Sequence, residues 1–193
     1  MEPVDSALVL GSSQPAGVAD TGACERAGVS VVRRRSGGGA VLVRPGSQLW
    51  VDFFVPPDDP LWDADVGRAA WWLGEAWAGA LTSSGLPGAT VWKGPLARRP
   101  WSSLACFALL GAGEVTSGPR TAKVVGVSQR RTRAGALFQC SCLLRWQPRE
   151  LVSLFALAAG ERENAARDLE NVAAPVPAGK GGQVLEALLA ALL

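Results

Sequence analysis

Residues 33–41 read Arg-Arg-Arg-Ser-Gly-Gly-Gly-Ala-Val and set a dense positive charge against a very permissive stretch of backbone. Glycine lets main-chain amides approach a ligand with no Cβ between them. Consecutive amides in such a turn make a concavity for anions, and an adjacent arginine offers paired donors matched to phosphate or carboxylate. No Gly-Lys-Ser/Thr follows, so this is not a Walker loop. A strand-like run rather than a helix comes next, so it is not a dinucleotide fingerprint either. The residues fit a solvated hairpin loop, a nucleic-acid patch or a cradle for a phosphate-bearing ligand.

Lys123 is the second candidate, in the otherwise apolar run Ala-Lys-Val-Val-Gly-Val-Ser. Strand alternation aligns it with Val125, Val127 and Gln129, so its ammonium emerges beside buried surface. As an ordinary lysine at a strand start it snorkels to water and contributes little to packing. As a functional group it is a point charge at the edge of a dry cleft, where it acts more strongly than in water. Gly126 suits the second reading, because a glycine inside a strand marks close approach by a ligand or backbone. Cys106 is either a small buried hydrophobe or, given a nearby cation such as Lys123, a nucleophile. Cys140 and Cys142 share a strand face with Phe138 and Leu144; with no second ligand pair they read as core, and no metal site is expected. Arg130, Arg131 and Arg133 have no interleaved aromatic residue for base stacking, which argues against nucleic acid and for hairpin charges turned toward a bound nucleotide.

Composition narrows the chemistry further. The sequence contains no histidine and no tyrosine, which excludes histidine triads and histidine general bases and leaves Lys, Arg, Cys, Ser, Asp and Glu. A net charge of +2 is too small to imply a polyanion partner. Four irregularly spaced cysteines suit a reducing cytoplasm better than a disulfide framework. No apolar run reaches membrane-spanning length, and the start lacks the basic residues of a signal peptide.

The elements that must hold these groups are legible in part. A short helix runs through Ala-Asp-Thr-Gly-Ala-Cys-Glu-Arg-Ala-Gly, capped by Asp20 or Thr21 and ended by Gly28. Strands are predicted for residues 29–34, 40–44 and 48–55; in the last, Leu49, Val51, Phe53 and Val55 face one way and Trp50, Asp52 and Phe54 the other. Residues 65–81 switch to a helical period, with Val66, Ala70, Leu73, Trp77 and Leu81 as the apolar stripe, Arg68 and Glu75 opposite, and Trp71 half covered on the polar side. Short strands are predicted at 89–96 and 104–110, and stronger ones at 121–131 and 135–144 joined by Thr-Arg-Ala-Gly. The last third is helical: a turn after Pro148, residues 161–172, a Pro/Gly break and residues 183–193. The fold class is α+β, a mixed and largely antiparallel sheet packed with helices.

Arg33 to Val41, followed about ninety residues later by Lys-Val-Val-Gly-Val-Ser at 123–128, resembles the lipoate–protein ligase family, within the superfamily of biotin ligases and octanoyltransferases. Ala-Leu-Val-Leu-Gly-Ser-Ser-Gln, with Gly11 and Gln14, and the Cys-Phe segment leading to Glu114 are similar to further family segments. Together the resemblance covers about residues 7–146. It implies a catalytic domain like those of class II synthetases and biotin ligases; the expected layout is one unit over 1–193 with a helical segment at 148–193, without the accessory C-terminal domain found in many of these ligases. It implies that ATP and Mg2+ activate lipoate or octanoate to an acyl-adenylate, whose acyl group passes to a lysine of a lipoyl-domain acceptor. On this reading Lys123 is catalytic, and Arg34, Ser36, Gly37, Gly38, Gly39, Ala40, Gly126 and Ser128 bind substrate and adenylate. An accessory subunit is a candidate partner. Two alternatives stay open: an ATP-independent octanoyl or lipoyl transferase with Cys106 as thioester nucleophile, and a non-catalytic acyl-binding subunit.

Overall fold

The computed structural model describes residues 3–119 and 121–192. In chain order its first elements are β1 (Ala7–Leu10), α1 (Thr21–Arg26), β2 (Ser30–Arg33), β3 (Val41–Val43), β4 (Gln48–Val55) and α2 (Trp71–Ser83). Then come β5 (Thr90–Val91), β6 (Ala97–Arg98), β7 (Leu109–Leu110), β8 (Val115–Ser117), β9 (Ala122–Thr132) and β10 (Gly135–Leu143). Three helices close the described chain: α3 (Pro148–Ser153), α4 (Ala159–Leu169) and α5 (Gly181–Leu192). The architecture is α+β.

Two sheets define the layers. In the small one β1 lies centrally, parallel to β2 and antiparallel to β3. The large one runs β4-β10-β9-β8-β5 with every neighbouring pair antiparallel. A two-stranded ribbon of β6 and β7 stands apart. α1 connects the parallel strands: the Asp20 carboxylate accepts from the Ala23 amide at 2.9 Å, and Gly28 ends the helix at φ +62°.

Each sheet has its own core. Leu8, Leu10, Val41 and Val43 of the small sheet pack with Leu151, Val152 and Leu169 of α3 and α4. On the large sheet, Phe138, Cys140 and Cys142 pack under Leu73, Trp77 and Leu81 of α2 and Val184 and Leu188 of α5. Burying each such large side chain stabilises by about 1.5–3 kcal/mol. Burial also pushes both thiols up, Cys142 to about 12, so neither is a ready thiolate. β4 keeps its expected two faces: Leu49, Val51, Phe53 and Val55 join this core, while Phe54 on the other face is exposed.

Three local expectations are corrected. The helix expected over 65–81 begins at Trp71. The Asp65 carboxylate accepts from the amides of Gly67 and Arg68, holding 65–70 in turns, and Val66 is 63% exposed rather than part of the stripe. Arg68 and Glu75 pair with Asp63 and Lys93, and the Lys93 ammonium lies 5.0 Å from the Trp71 ring centroid. Residues 104–110 are not a continuous strand: Cys106–Ala108 form a 3-10 turn before the two residues of β7. Strand pairing here is confined to one parallel bridge, Ala105 with Ala40, in which Cys106 N bonds the Ala40 carbonyl at 3.0 Å; the chain then turns, with Leu109 N returning to Cys106 O.

The third correction concerns Lys123. Opposite β8, Val115 pairs with Val125 but Thr116 with Lys123, so one residue of β9 is extra and the side-chain phase slips. Lys123 therefore shares a face with Gly126 and Ser128, not with Val125, Val127 and Gln129. Nor does it sit at a free strand end, since its backbone pairs with Val172 and Ala174 on its outer side.

Candidate active site

The face of the large sheet opposite the α2/α5 core carries polar residues in register. Asp52, Gln139 and Ser128 form one cross-strand row; Trp50, Ser141 and Gly126 form the next. The loop from Ser36 to Ala40 lies against this face. Ser128 Oγ is 3.0 Å from Ser36 Oγ, which donates to Gln139 Oε1 at 3.2 Å; the Gln139 amide reaches Asp52, and Asp52 accepts from the Trp50 indole at 2.8 Å. The serine of the glycine-rich motif and the serine of the lysine motif are thus in contact across 92 residues of sequence.

The three glycines have different neighbours. A Cβ on Gly39 would lie 2.6 Å from the Ala105 carbonyl carbon and 2.7 Å from the Cys106 nitrogen, so this glycine lets two backbones touch. Gly38 takes φ +99°. A Cβ on Gly37 would meet nothing within 4 Å. Arg34 is buried and spends its guanidinium on the loop itself, donating to the carbonyls of Gly37 and Gly39 at 2.8 Å each. It folds the loop rather than presenting a fork to solvent, which corrects its expected position as an open anion clamp. Gln14 braces the other side: its carbonyl accepts from Gly11 N at 2.9 Å and its amide donates to Ser103 O at 2.8 Å.

Lys123 is 1% exposed, so the snorkelling expectation fails. Its ammonium meets Glu114 Oε1 at 2.7 Å, Leu109 O at 2.8 Å and Cys106 O at 3.0 Å, and sits 5.1 Å from the Phe107 ring centroid. All three ammonium protons have acceptors. Glu114 is equally engaged, accepting from Gly111 N at 2.7 Å and Val127 N at 3.2 Å. Burial holds its carboxyl above the ordinary range, while the ammonium and the two amides pull the other way. The pair lies over Gly126 on the cleft face of the sheet: a Cβ there would come within 3.1 Å of Lys123 Cε and 3.6 Å of Nζ. The bare glycine leaves the room in which the lysine side chain crosses β9 beside the cleft.

Cys106 joins the two halves. Its amide bonds Ala40 O in the glycine loop, and its carbonyl accepts from Lys123. Its half-buried Sγ lines the cleft 3.9 Å from Arg34 Nη2, so the cation beside the thiol is Arg34, not Lys123 as expected. All the residues expected to act together, from Arg34 to Ala40 and from Cys106 to Ser128, are assembled here. Sequence reasoning assigned no role to Glu114, Asp52, Gln139 or Ser141. For the last three the signal was parity: 50 and 52 on β4 and 139 and 141 on β10 share the site face once the register is known. Of the hairpin arginines, Arg131 stacks 4.6 Å over Trp62 and bonds Asp63 O, while Arg130 and Arg133 are exposed.

A glycine-rich loop thus cups one face of an antiparallel sheet beside a buried lysine, within an α+β domain. The profile of the lipoyl protein ligase A/B catalytic domain matches residues 3–177, and the chain belongs to that family. No curated protein sequence matches it. Among solved structures, the chain is similar to the bi-partite lipoate protein ligase of Thermoplasma acidophilum, studied with its E2 lipoyl domain: 18% identity, TM-score 0.72, 97% of this chain and 66% of that one. A second T. acidophilum structure, described as a lipoate protein ligase with bound lipoic acid, is 20% identical with TM-score 0.68, covering 97% and 67%. A lipoate-protein ligase A bound with ATP gives 20%, 0.68, 97% and 68%. At these identities the likeness concerns the fold, and the chain spans about two thirds of the length of these structures. No helix among the described residues is long and apolar enough to cross a membrane.

Proposed function

We propose that the chain is the catalytic part of an ATP-dependent lipoate–protein ligase. The carboxylate of lipoate or octanoate attacks the α-phosphorus of ATP, pyrophosphate leaves, and an acyl-adenylate forms. The amine of an acceptor lysine then attacks the acyl carbon and AMP departs. The observation that carries the reading is the buried Lys123 ammonium lying across Gly126 and joined through Cys106 to the glycine loop. Held now by Glu114 and two carbonyls, it acts by exchanging one of those carbonyls for the oxygen that gains negative charge in both steps. The open side of Gly37 lets a phosphate approach main-chain amides, and Ser36 and Ser128 fix the loop on the sheet. The chemistry is positioning and electrostatics, which a histidine-free chain can supply.

Magnesium would enter with the nucleotide, because it binds few protein ligands and favours phosphate oxygens. Among the described residues, no group of three or more His, Cys, Asp or Glu could hold a metal alone. Asp52, exposed on the same sheet face, is a carboxylate able to share the ion. The acceptor is a lipoyl domain, and the length missing relative to the matched structures could be supplied by an accessory subunit; both rest on what those relatives are described with. We place the protein in the cytoplasm, a reading supported by the free thiols Cys24, Cys106, Cys140 and Cys142.

The test is to incubate the protein with ATP, Mg2+, lipoate or octanoate and a lipoyl domain, and to weigh the acceptor. A mass gain of one acyl group that requires ATP supports the reading; a gain from an acyl-carrier thioester without ATP replaces it with the transferase reading. Cys106→Ser divides the same two routes. Ligation should persist within about twofold, since adenylation needs no thiol, whereas a thioester route would stop. The proximity of Cys106 Sγ to Arg34 is what keeps the second route in view.

A further inference from the structure

Within the cleft the polar side chains are paired, with one exception. Ser36, Ser128, Gln139 and Asp52 form the hydrogen-bonded chain already described. The Ser141 hydroxyl, on the cleft lining and 6% exposed as a residue, has no hydrogen-bond partner among the described residues. An unpaired buried hydroxyl destabilises a fold, and an alanine would fill the position without that penalty. A serine that harms folding at such a place invites a role in the bound state.

Position says what it would meet. Ser141 stands directly opposite Gly126 in the β9–β10 ladder and opposite Trp50 in the β4–β10 ladder. Facing residues of adjacent antiparallel strands hold their Cβ positions about 4.5–5.5 Å apart. Its hydroxyl therefore borders the space over Gly126 that the Lys123 side chain occupies, with Nζ 3.6 Å from the position of a Gly126 Cβ. An oxygen brought from the cleft to that ammonium comes within reach of Ser141 Oγ as well. Beyond it the walls turn apolar at Val41, Trp50 and Phe107, which suits the chain of the same molecule.

We infer that Ser141 is a substrate-contacting residue whose hydroxyl donates to the carboxylate oxygen of the incoming acid, setting its affinity and aiming it over Gly126. The inference rests on the acid-activating function proposed above and adds to it a donor that neither motif contains. No covalent step is involved: the hydroxyl keeps its proton and serves as a neutral donor to a charged acceptor.

Ser141→Ala separates this role from a structural one because the two predict opposite signs. We measure octanoate and lipoate binding by titration calorimetry and melting by differential scanning calorimetry, for the wild type and Ser141→Ala. The expected result is a melting temperature equal to or above the wild type together with acid binding weakened about tenfold, the effect of losing one hydrogen bond to a charged group. Ser141→Thr keeps a hydroxyl and should recover part of the affinity, which an effect of packing alone would not produce. Wild-type affinity in Ser141→Ala overturns the inference and leaves the proposed function standing. Failure of the wild-type protein to bind either acid, with or without ATP, overturns the proposed function and this contact together.

Discussion

Lys123→Met should abolish acyl transfer, lowering the rate about a thousandfold or more, and should also cost about 3–5 kcal/mol of stability. The first effect follows from removing the preorganised charge that faces developing negative charge. The second follows from the ion pair: the partners are 1% and 6% exposed, and taking away one leaves Glu114 buried and uncompensated. For a chain of this length such a loss lowers the melting temperature by roughly 6–20 °C. A strand-start lysine would have been removable without harm to the fold, so the second effect directly tests the corrected placement.

The stability deficit also has a pH signature. Glu114 already has its carboxyl pushed above the ordinary range by burial, and Lys123 is the largest influence pulling it back. Without the lysine the folded state holds that proton more tightly still, while the unfolded chain releases it near 4.5. A carboxyl raised on folding carries no penalty while both states are protonated. The penalty grows as pH rises between the unfolded and folded values and is complete above the latter. The gap in melting temperature between Lys123→Met and wild type should therefore be small below about pH 4.5 and widest at neutral pH and above. A cavity alone would give a gap independent of pH. Because the variant stays partly folded at low temperature, transfer assayed where circular dichroism shows native signal separates charge from folding. Normal turnover under those conditions would falsify the catalytic assignment.

Which features could be read in advance depended on how far apart in sequence their causes lie. β4 and the β9–β10 hairpin were visible because alternation is written into adjacent residues, and α1 because its cap and its stop are local. The slip at Lys123 was not, because the extra residue exists only relative to β8, and nothing within Ala-Lys-Val-Val-Gly-Val marks it. The same holds for 104–110, whose apolar residues suit a strand, while the pairing partners that the fold supplies, Ala40 and then β6, reach only Ala105 and Leu109–Leu110. Arg34 misled for a related reason. A guanidinium next to three glycines looks ready for an external anion, yet the nearest acceptors are the carbonyls those glycines leave uncovered. The motifs named residues that the fold brings together and said little about which member does what.

The glycines sharpen that point, because Gly11 lies outside the triplet yet constrains it most. A Cβ on Gly11 would stand 1.9 Å from the Gly38 carbonyl oxygen. Real contacts of this kind keep beyond about 3 Å, so Gly11→Ala must push the Gly38 peptide aside by about 1 Å or more. It has nowhere to go: Arg34 grips the carbonyls on both sides of it, Ala40 N bonds Leu104 O at 2.6 Å, and Gly39 already touches the backbone of Ala105 and Cys106. We expect Gly11→Ala to lose about a hundredfold or more in transfer, since a 1 Å misplacement of a binding loop is enough for that, and to melt several degrees lower. Gly37→Ala is the counterpart. Its added methyl meets open space and its backbone lies outside the left-handed region, so the melting temperature should stay within about 1 °C of wild type, as for other unhindered surface changes. Any rise in the KM for ATP in Gly37→Ala then reports contact with the nucleotide itself, free of folding. If Gly37→Ala melts as low as Gly11→Ala, or if Gly11→Ala transfers normally, the division between a packing glycine and a ligand-facing one is wrong, and with it the placing of the phosphates on the open side of the loop.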